Sequence, residues 1–280
     1  MTKLFFRRKI TMPTIEQRQA YEEEGFFVVD DLVDVDTLLQ LREASRRVKE
    51  KVRIGQVDLF THWADKDARE AWAIRGLLAP EFDEPSFARH LLSQNLMEYV
   101  HFFIGYELTL GAILLFTNPK HSDWGFGWHR DLGSQERDGT EAQELKILNK
   151  PQTNLRWHLA LVDDACLQIV PGSHKRYRTE HERSCLLETR NEDIPGQYTI
   201  QLSAGEAVFW NGNSIHRGIY KRDCERLTIS ASWSKFIQGL SPSKVDSRLE
   251  WRLNSGVRAN LPLELHPYYD RWYELQLPNS

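Results

Sequence analysis

Two His-x-Asp triplets stand close together in this 280-residue chain, His121-Ser122-Asp123 and His129-Arg130-Asp131. On an extended strand the side chains at i and i+2 share a face. Either triplet could therefore present an imidazole and a carboxylate to one cation. A third ligand must come from elsewhere, and the best candidate is His216, in Asn211-Gly212-Asn213-Ser214-Ile215-His216-Arg217-Gly218. Two imidazoles and one carboxylate on one face of an octahedron leave three positions open, an arrangement that suits non-haem Fe(II) oxygenases. Beyond His216 comes Arg226-Leu227-Thr228. An arginine can hold a carboxylate bidentately, with a hydroxyl two residues along on the same strand face, as an anchor for a dicarboxylate co-substrate would need.

The second triplet is the better metal site. His121 and Asp123 lie in a stretch with Pro119, Gly125 and Gly127, whose composition predicts a loop where side-chain alternation is not enforced. His129-Arg130-Asp131 follows Gly127-Trp128, and an extended segment there aims His129 and Asp131 to one side. His129-Arg130-Asp131-Leu132 also mimics a kinase catalytic loop. Glu136 stands where that loop needs Asn, and neither Asp-Phe-Gly nor GxGxxG is present, which excludes a kinase.

Taken together these motifs resemble the phytanoyl-CoA dioxygenase-like branch of the Fe(II)/2-oxoglutarate-dependent oxygenases. Trp128-His129-Arg130-Asp131 is similar to that family's first-ligand strand, and Val170-Pro171-Gly172-Ser173-His174-Lys175 to its Pro-Gly-Ser-His segment. Ala204-Gly205-Glu206-Ala207-Val208-Phe209 resembles its Gly-Asp turn, and Glu24-Gly25-Phe26-Phe27-Val28-Val29 its opening. The resemblance implies that His129, Asp131 and His216 hold Fe(II), that Arg226 and Thr228 bind the 5-carboxylate of 2-oxoglutarate, and that O2 is the oxidant, with ascorbate as a candidate stimulant. Trp157 is a further candidate contact to the co-substrate, although Trp128, Trp157 and Trp210 also suit a barrel core. Related halogenases replace the carboxylate ligand by a small residue; Asp131 is present, so the implied activity is hydroxylation or a related C–H oxidation with release of succinate and CO2. Some positions depart from the pattern. Phe116-Thr117-Asn118-Pro119 lacks the usual lysine, Arg130 stands where Gln is common, and Asp163-Asp164-Ala165-Cys166 replaces the usual Asn-Gly. The alternatives are a non-catalytic metal- or small-molecule-binding relative and a redox-inert metal enzyme on a cupin-like barrel.

Helices precede strands along the chain. Thr14 with Gln17 forms a capping box for a helix over Ile15–Glu24, then Phe26–Val29 reads as a strand. Asp34 or Asp36 caps a helix bearing Leu38, Leu41, Ala44, Val48 and Val52 at helical spacing, with a basic outer face, and a third helix spans Ser93–Phe103. From Glu107 short apolar runs alternate with Gly, Pro, Asn and Asp clusters, the pattern of an antiparallel sandwich or barrel. The expected fold is mainly β with flanking α: on the strength of the resemblance, a double-stranded β-helix, or cupin-like jelly roll, with N-terminal helices. Residues 1–280 are expected to form one domain, with 1–12 a tail and 53–80 and 132–151 lid loops.

Composition narrows the partners. Thirty-six basic against 40 acidic residues give a net charge of −4, which does not suit a dedicated nucleic-acid binder. Mean hydropathy is −0.53, and no run approaches the ~18 apolar residues of a membrane span. Cys166, Cys185 and Cys224 are odd in number and widely spaced, so a disulfide framework or zinc ribbon is not expected and a cytoplasmic location is. The expected partner is a small-molecule substrate, neither nucleic acid nor membrane, with the oligomeric state left open.

Overall fold

Alternation of inward and outward side chains is what builds the second half of the chain into two facing sheets. The computed structural model describes residues 12–131, 139–239 and 246–277. Its strands are β1 (Phe26–Val29), β2 (Thr61–Asp65), β3 (Glu70–Arg75), β4 (Leu108–Thr117), β5 (Trp124–His129), β6 (Asn154–Ala160), β7 (Leu167–Ile169), β8 (Tyr198–Thr199), β9 (Ala207–Trp210), β10 (His216–Tyr220) and β11 (Leu227–Lys235). The larger sheet runs β1-β9-β6-β11-β4-β3-β2 and the smaller β5-β10-β7-β8. Every pairing between these strands is antiparallel. This is the jelly roll with flanking helices.

The N-terminal helices, beginning with α1 (Ile15–Glu23), cover the outer face of the larger sheet. In α2 (Val35–Arg53), Leu41, Ala44, Val48 and Val52 are buried, and Asp34 caps it by accepting from the Thr37 amide at 2.7 Å. The outer face of α2 is more than a solvated stripe: Arg46 forks onto Glu225 and Arg47 onto Glu84. With α3 (Pro85–Leu91) and α4 (Gln94–Ile104), α2 packs on the outward residues of the sheet, among them Trp157, Leu159, Phe209, Ile229 and Trp233. The inward residues Ala160, Val208 and Trp210 meet Leu167 and Ile169 of the smaller sheet. That second cluster closes one end of the space between the sheets and leaves the other end as a cavity.

Two expectations change. Residues 53–80 hold the β2–β3 hairpin, which extends the larger sheet through Ala73↔Phe116 and Ile74↔Leu115, so much of this stretch is strand rather than loop. Of 132–151, residues 132–138 lie outside the described residues, and Glu141–Leu148 is a helix, α5, with a capping box from Thr140 and Gln143. Residues 1–11 of the expected tail also lie outside them. The sequence reading passed over the C-terminal helices α7 (Ser255–Asn260) and α8 (His266–Glu274); α8 buries Tyr269 and Trp272.

Candidate active site

The smaller sheet brings two histidines face to face. His129 ends β5 and His216 begins β10, and they are cross-strand partners, with ring centroids 4.1 Å apart. His129 Nδ1 lies 2.9 Å from the Gly127 carbonyl and His216 Nδ1 2.8 Å from that of Ser214. A carbonyl can only accept, so each Nδ1 carries the proton and each Nε2 presents a free lone pair. Asp131 Oδ1 sits 3.8 Å from His129 Nε2 and 4.0 Å from His216 Nε2. The three ligand atoms lie within 4.8 Å of one another, the one such group among the described residues. Burial and the neighbouring His216 hold the His129 pKa down to about 3, and burial lowers that of His216. Both rings are neutral at pH 7, the state a metal ligand requires.

Asp131 is oriented from its other oxygen. Oδ2 accepts from Arg156 on β6, whose guanidinium also lies 4.9 Å over the Trp210 ring. Burial alone would raise the Asp131 pKa; the Arg156 guanidinium, by its charge and its hydrogen bond, overrides it and holds the carboxyl well below the usual range. Gly212 makes the room. A Cβ there would meet Asp131 Oδ2 at 2.7 Å and Arg156 Nη1 at 3.1 Å, while its carbonyl accepts from the Asp131 amide at 2.9 Å.

Arg130, the residue between His129 and Asp131, ties the site to its frame. It is buried, pairs with Glu144 at 3.1 Å, and donates to the carbonyls of Ser173 (2.5 Å), Asn213 (2.6 Å) and Arg176 (3.1 Å). Ser173 Oγ in turn accepts from the Ile215 amide at 2.8 Å. The Pro171-Gly172-Ser173-His174 turn thus fixes the strand that delivers His216. His174 belongs to this frame: its ring packs on Gly25, where φ is +86° and a Cβ would meet Nδ1 at 2.7 Å.

The triad opens into a cavity of about 560 Å³ between the sheets, also lined by Arg75, Arg156, His158 and Arg226. Arg226 is buried. Its Nε donates to Asp164 Oδ2 at 2.9 Å, and the Thr228 hydroxyl donates to the same oxygen. Its guanidinium also stacks over Phe116 (4.8 Å) and Tyr220 (4.5 Å). Arg226 Nη1 is buried without a hydrogen-bond partner. The expected pair Arg226 and Thr228 is therefore together, but Thr228 reaches Asp164 and does not line the cavity.

With this geometry in place, comparison with known proteins is informative. A sequence model of the phytanoyl-CoA dioxygenase (PhyH) family matches residues 21–219. This chain belongs to that family. Mouse peroxisomal phytanoyl-CoA dioxygenase is 24% identical over 178 residues, 60% of this chain and 50% of the mouse protein, so the match spans half of that relative's length. Among solved structures, EctD from S. alaskensis, with 2-oxoglutarate and 5-hydroxyectoine, matches with TM-score 0.63 at 18% identity over 80% of this chain and 77% of that one. HygX from Streptomyces hygroscopicus, with nickel and 2-oxoglutarate bound, matches with TM-score 0.55 at 17% identity over 80% and 88%. The epimerase SnoN, described as non-haem and α-ketoglutarate dependent, matches with TM-score 0.55 at 17% identity over 79% and 80%. These likenesses establish a shared fold.

Within this PhyH-family chain the other expected residues fall elsewhere. Trp157 is fully buried on the outer face of β6 and donates Nε1 to His90 at 3.3 Å. Its neighbours Arg156 and His158 face the cavity instead, because alternate residues of a strand point oppositely. His121 is exposed and 3.4 Å from Glu70, and Asp123 accepts from the Arg222 amide at 3.1 Å; neither approaches the triad. Sequence reading missed Arg156, and only its place two residues before His158 on an inward-facing register could have marked it.

The Asp164–Arg226 pair carries a prediction. Burial would raise the Asp164 pKa, but Arg226 and the Thr228 hydroxyl hold it at about 2 against an ordinary 3.8. A depressed carboxyl pKa gives stability that is present above the unfolded value and lost as pH falls through the folded one. Between pH 4 and 2 the protein is expected to lose about 2 kcal/mol through this group, at ~1.4 kcal/mol per pKa unit. Asp164→Asn should be less stable at pH 7 and flatter by that amount below pH 4. Urea midpoints at pH 7, 4 and 2.5 check it, and equal acid losses in the two proteins would contradict it.

Proposed function

We propose that this protein is an Fe(II)- and 2-oxoglutarate-dependent dioxygenase that oxidises a C–H bond of a small molecule, with hydroxylation the favoured outcome. The observation that carries the reading is the convergence of His129 Nε2, His216 Nε2 and Asp131 Oδ1 on one point, each fixed from its far side by a backbone carbonyl or by Arg156. Two neutral imidazoles and one carboxylate suit Fe(II) and leave three sites open. Bound there, iron with 2-oxoglutarate and O2 supplies the oxidising power, releasing succinate and CO2.

The chain's own residues do the rest. His129, Asp131 and His216 would hold the metal. Arg156 keeps Asp131 ionised and turns Oδ1 towards the metal position. Arg226 Nη1, buried and unpartnered, suits the distal carboxylate of the co-substrate, while Asp164 and Thr228 fix the guanidinium from its other edge. Phe126, Trp210 and Phe116 wall the cavity and limit water around the reacting bond.

The test is metal identity. With Fe(II), 2-oxoglutarate and air the protein should release succinate. Zn(II) should occupy the same three ligands, compete with iron, and give no turnover, since it has no redox chemistry. Equal succinate release by the zinc and iron proteins would end this reading.

A further inference from the structure

Six arginines line the cavity, and five of them carry a carboxylate partner. Arg156 has Asp131 and Arg226 has Asp164. Arg130 has Glu144, Arg217 has Asp193, and Arg248 has Asp246. Arg75 is the exception among the described residues. Its Nε donates to His62 Nε2 at 2.9 Å, and no carboxylate of the described residues lies within ion-pair distance. Burial pulls the His62 pKa down to about 4, so the ring is neutral at pH 7. It therefore accepts from Arg75 without balancing its charge.

A half-buried cation without an ion-pair partner is costly, and such groups are ordinarily paired. Burial and then the neighbouring Arg248 lower the Arg75 pKa to about 10; Asp246 and Asp131 act the other way from beyond ion-pair distance and do not offset the burial, and Arg75 is still charged at pH 7. With Nε committed to His62, the two Nη groups remain as a fork of the kind that takes a carboxylate bidentately. This fork is distinct from the co-substrate anchor. Arg75 pairs with Leu114 on β4, whereas the Arg226 amide is held by Asn118, four residues further along; at ~3.3 Å per residue that is about 13 Å of strand. The rings of Phe116 and Trp72, stacked at 6.2 Å, lie in between.

We infer that Arg75 is the substrate's docking residue, and that the substrate is a monocarboxylic acid whose apolar body lies along Trp72, Leu114 and Phe126. One guanidinium fork without an ion-pair partner calls for one carboxylate. The aromatic and aliphatic lining beside Arg75 calls for a body without further charge. This assignment rests on the oxygenase reading for its chemistry, though not for its binding.

The experiment uses phenylacetate, its amide phenylacetamide, and phenyl phosphate as probes, titrated calorimetrically into the full-length protein loaded with Fe(II) and 2-oxoglutarate under anaerobic conditions. Phenylacetate is expected to bind at least tenfold tighter than the amide. Arg75→Gln should weaken phenylacetate at least tenfold and leave phenylacetamide unchanged. Arg75→Lys, which keeps the charge but loses the fork, should fall between. Equal affinities for acid and amide, an unchanged acid affinity in Arg75→Gln, or tighter binding of the doubly charged phosphate would each overturn the assignment. Succinate release by the wild-type protein in air reports on the oxygenase reading alone, so the two can fail separately.

Discussion

Asp131→Ala is expected to abolish tight iron binding and turnover. The substitution removes the one anion among the three proposed ligands, and even partners that only orient a metal ligand are worth about 10–100-fold in metal affinity or activity. The loss of Asp131 itself should exceed about a hundredfold. The fold should survive, because the Asp131 amide still donates to Gly212 and Arg156 keeps its place over Trp210. Asp123→Ala is the matched control. Asp123 is exposed and holds only the start of the Arg222 turn, so iron affinity should stay within a factor of two. Iron titration of both variants, with far-UV circular dichroism to confirm folding, checks the pair. Tight iron in Asp131→Ala together with loss in Asp123→Ala would move the metal to the first triplet.

How much of this was legible in the chain depends on the reach of each signal. The strands after Glu107 could be read because their apolar runs are bounded by turn residues, and β4, β6, β9 and β11 all lie in that stretch. The β2–β3 hairpin escaped because its register shifts twice, at His62/Trp63 and at Trp63/Asp65, which breaks the period-2 pattern. Trp157 shows a different limit. Alternation says that Arg156 and Trp157 face opposite ways, but not which way is inward; that is decided by α3 and α4 covering the outer face, a long-range fact. The ligand triplet was readable as a motif, whereas Arg156 and Arg75 were not. They are two among 36 basic residues, and only the partner opposite each one, a metal-side carboxylate for the first and a neutral imidazole for the second, sets them apart. Asp164 was visible as a departure from the family's Asn-Gly, with no hint that it would pair with Arg226.

Arg226 gives the other large effect, and Asp164 decides how it must be measured. If Arg226 anchors the co-substrate as proposed, Arg226→Ala removes a charge-assisted contact to its distal carboxylate, a loss of about 2–5 kcal/mol for a buried pair. At about 1.4 kcal/mol per factor of ten, 2-oxoglutarate affinity should fall by at least about 30-fold, with iron binding nearly intact. The same substitution strands Asp164, which is buried and whose low pKa depends on Arg226. Leaving such a carboxylate uncompensated is expected to cost on the order of 3–5 kcal/mol of stability, so weak 2-oxoglutarate binding by the single variant could be read as a damaged fold. The double variant Arg226→Gln/Asp164→Asn separates the two. It removes both charges, keeps polar groups that can hydrogen-bond each other and Thr228, and should recover most of the lost stability. Affinity for 2-oxoglutarate should stay low, because a neutral amide cannot replace the guanidinium. Calorimetric titration with 2-oxoglutarate, beside urea unfolding of wild type, single and double variants, makes the comparison. Recovery of 2-oxoglutarate affinity along with stability in the double variant would show that Arg226 serves the fold and that the co-substrate is anchored elsewhere in the cavity.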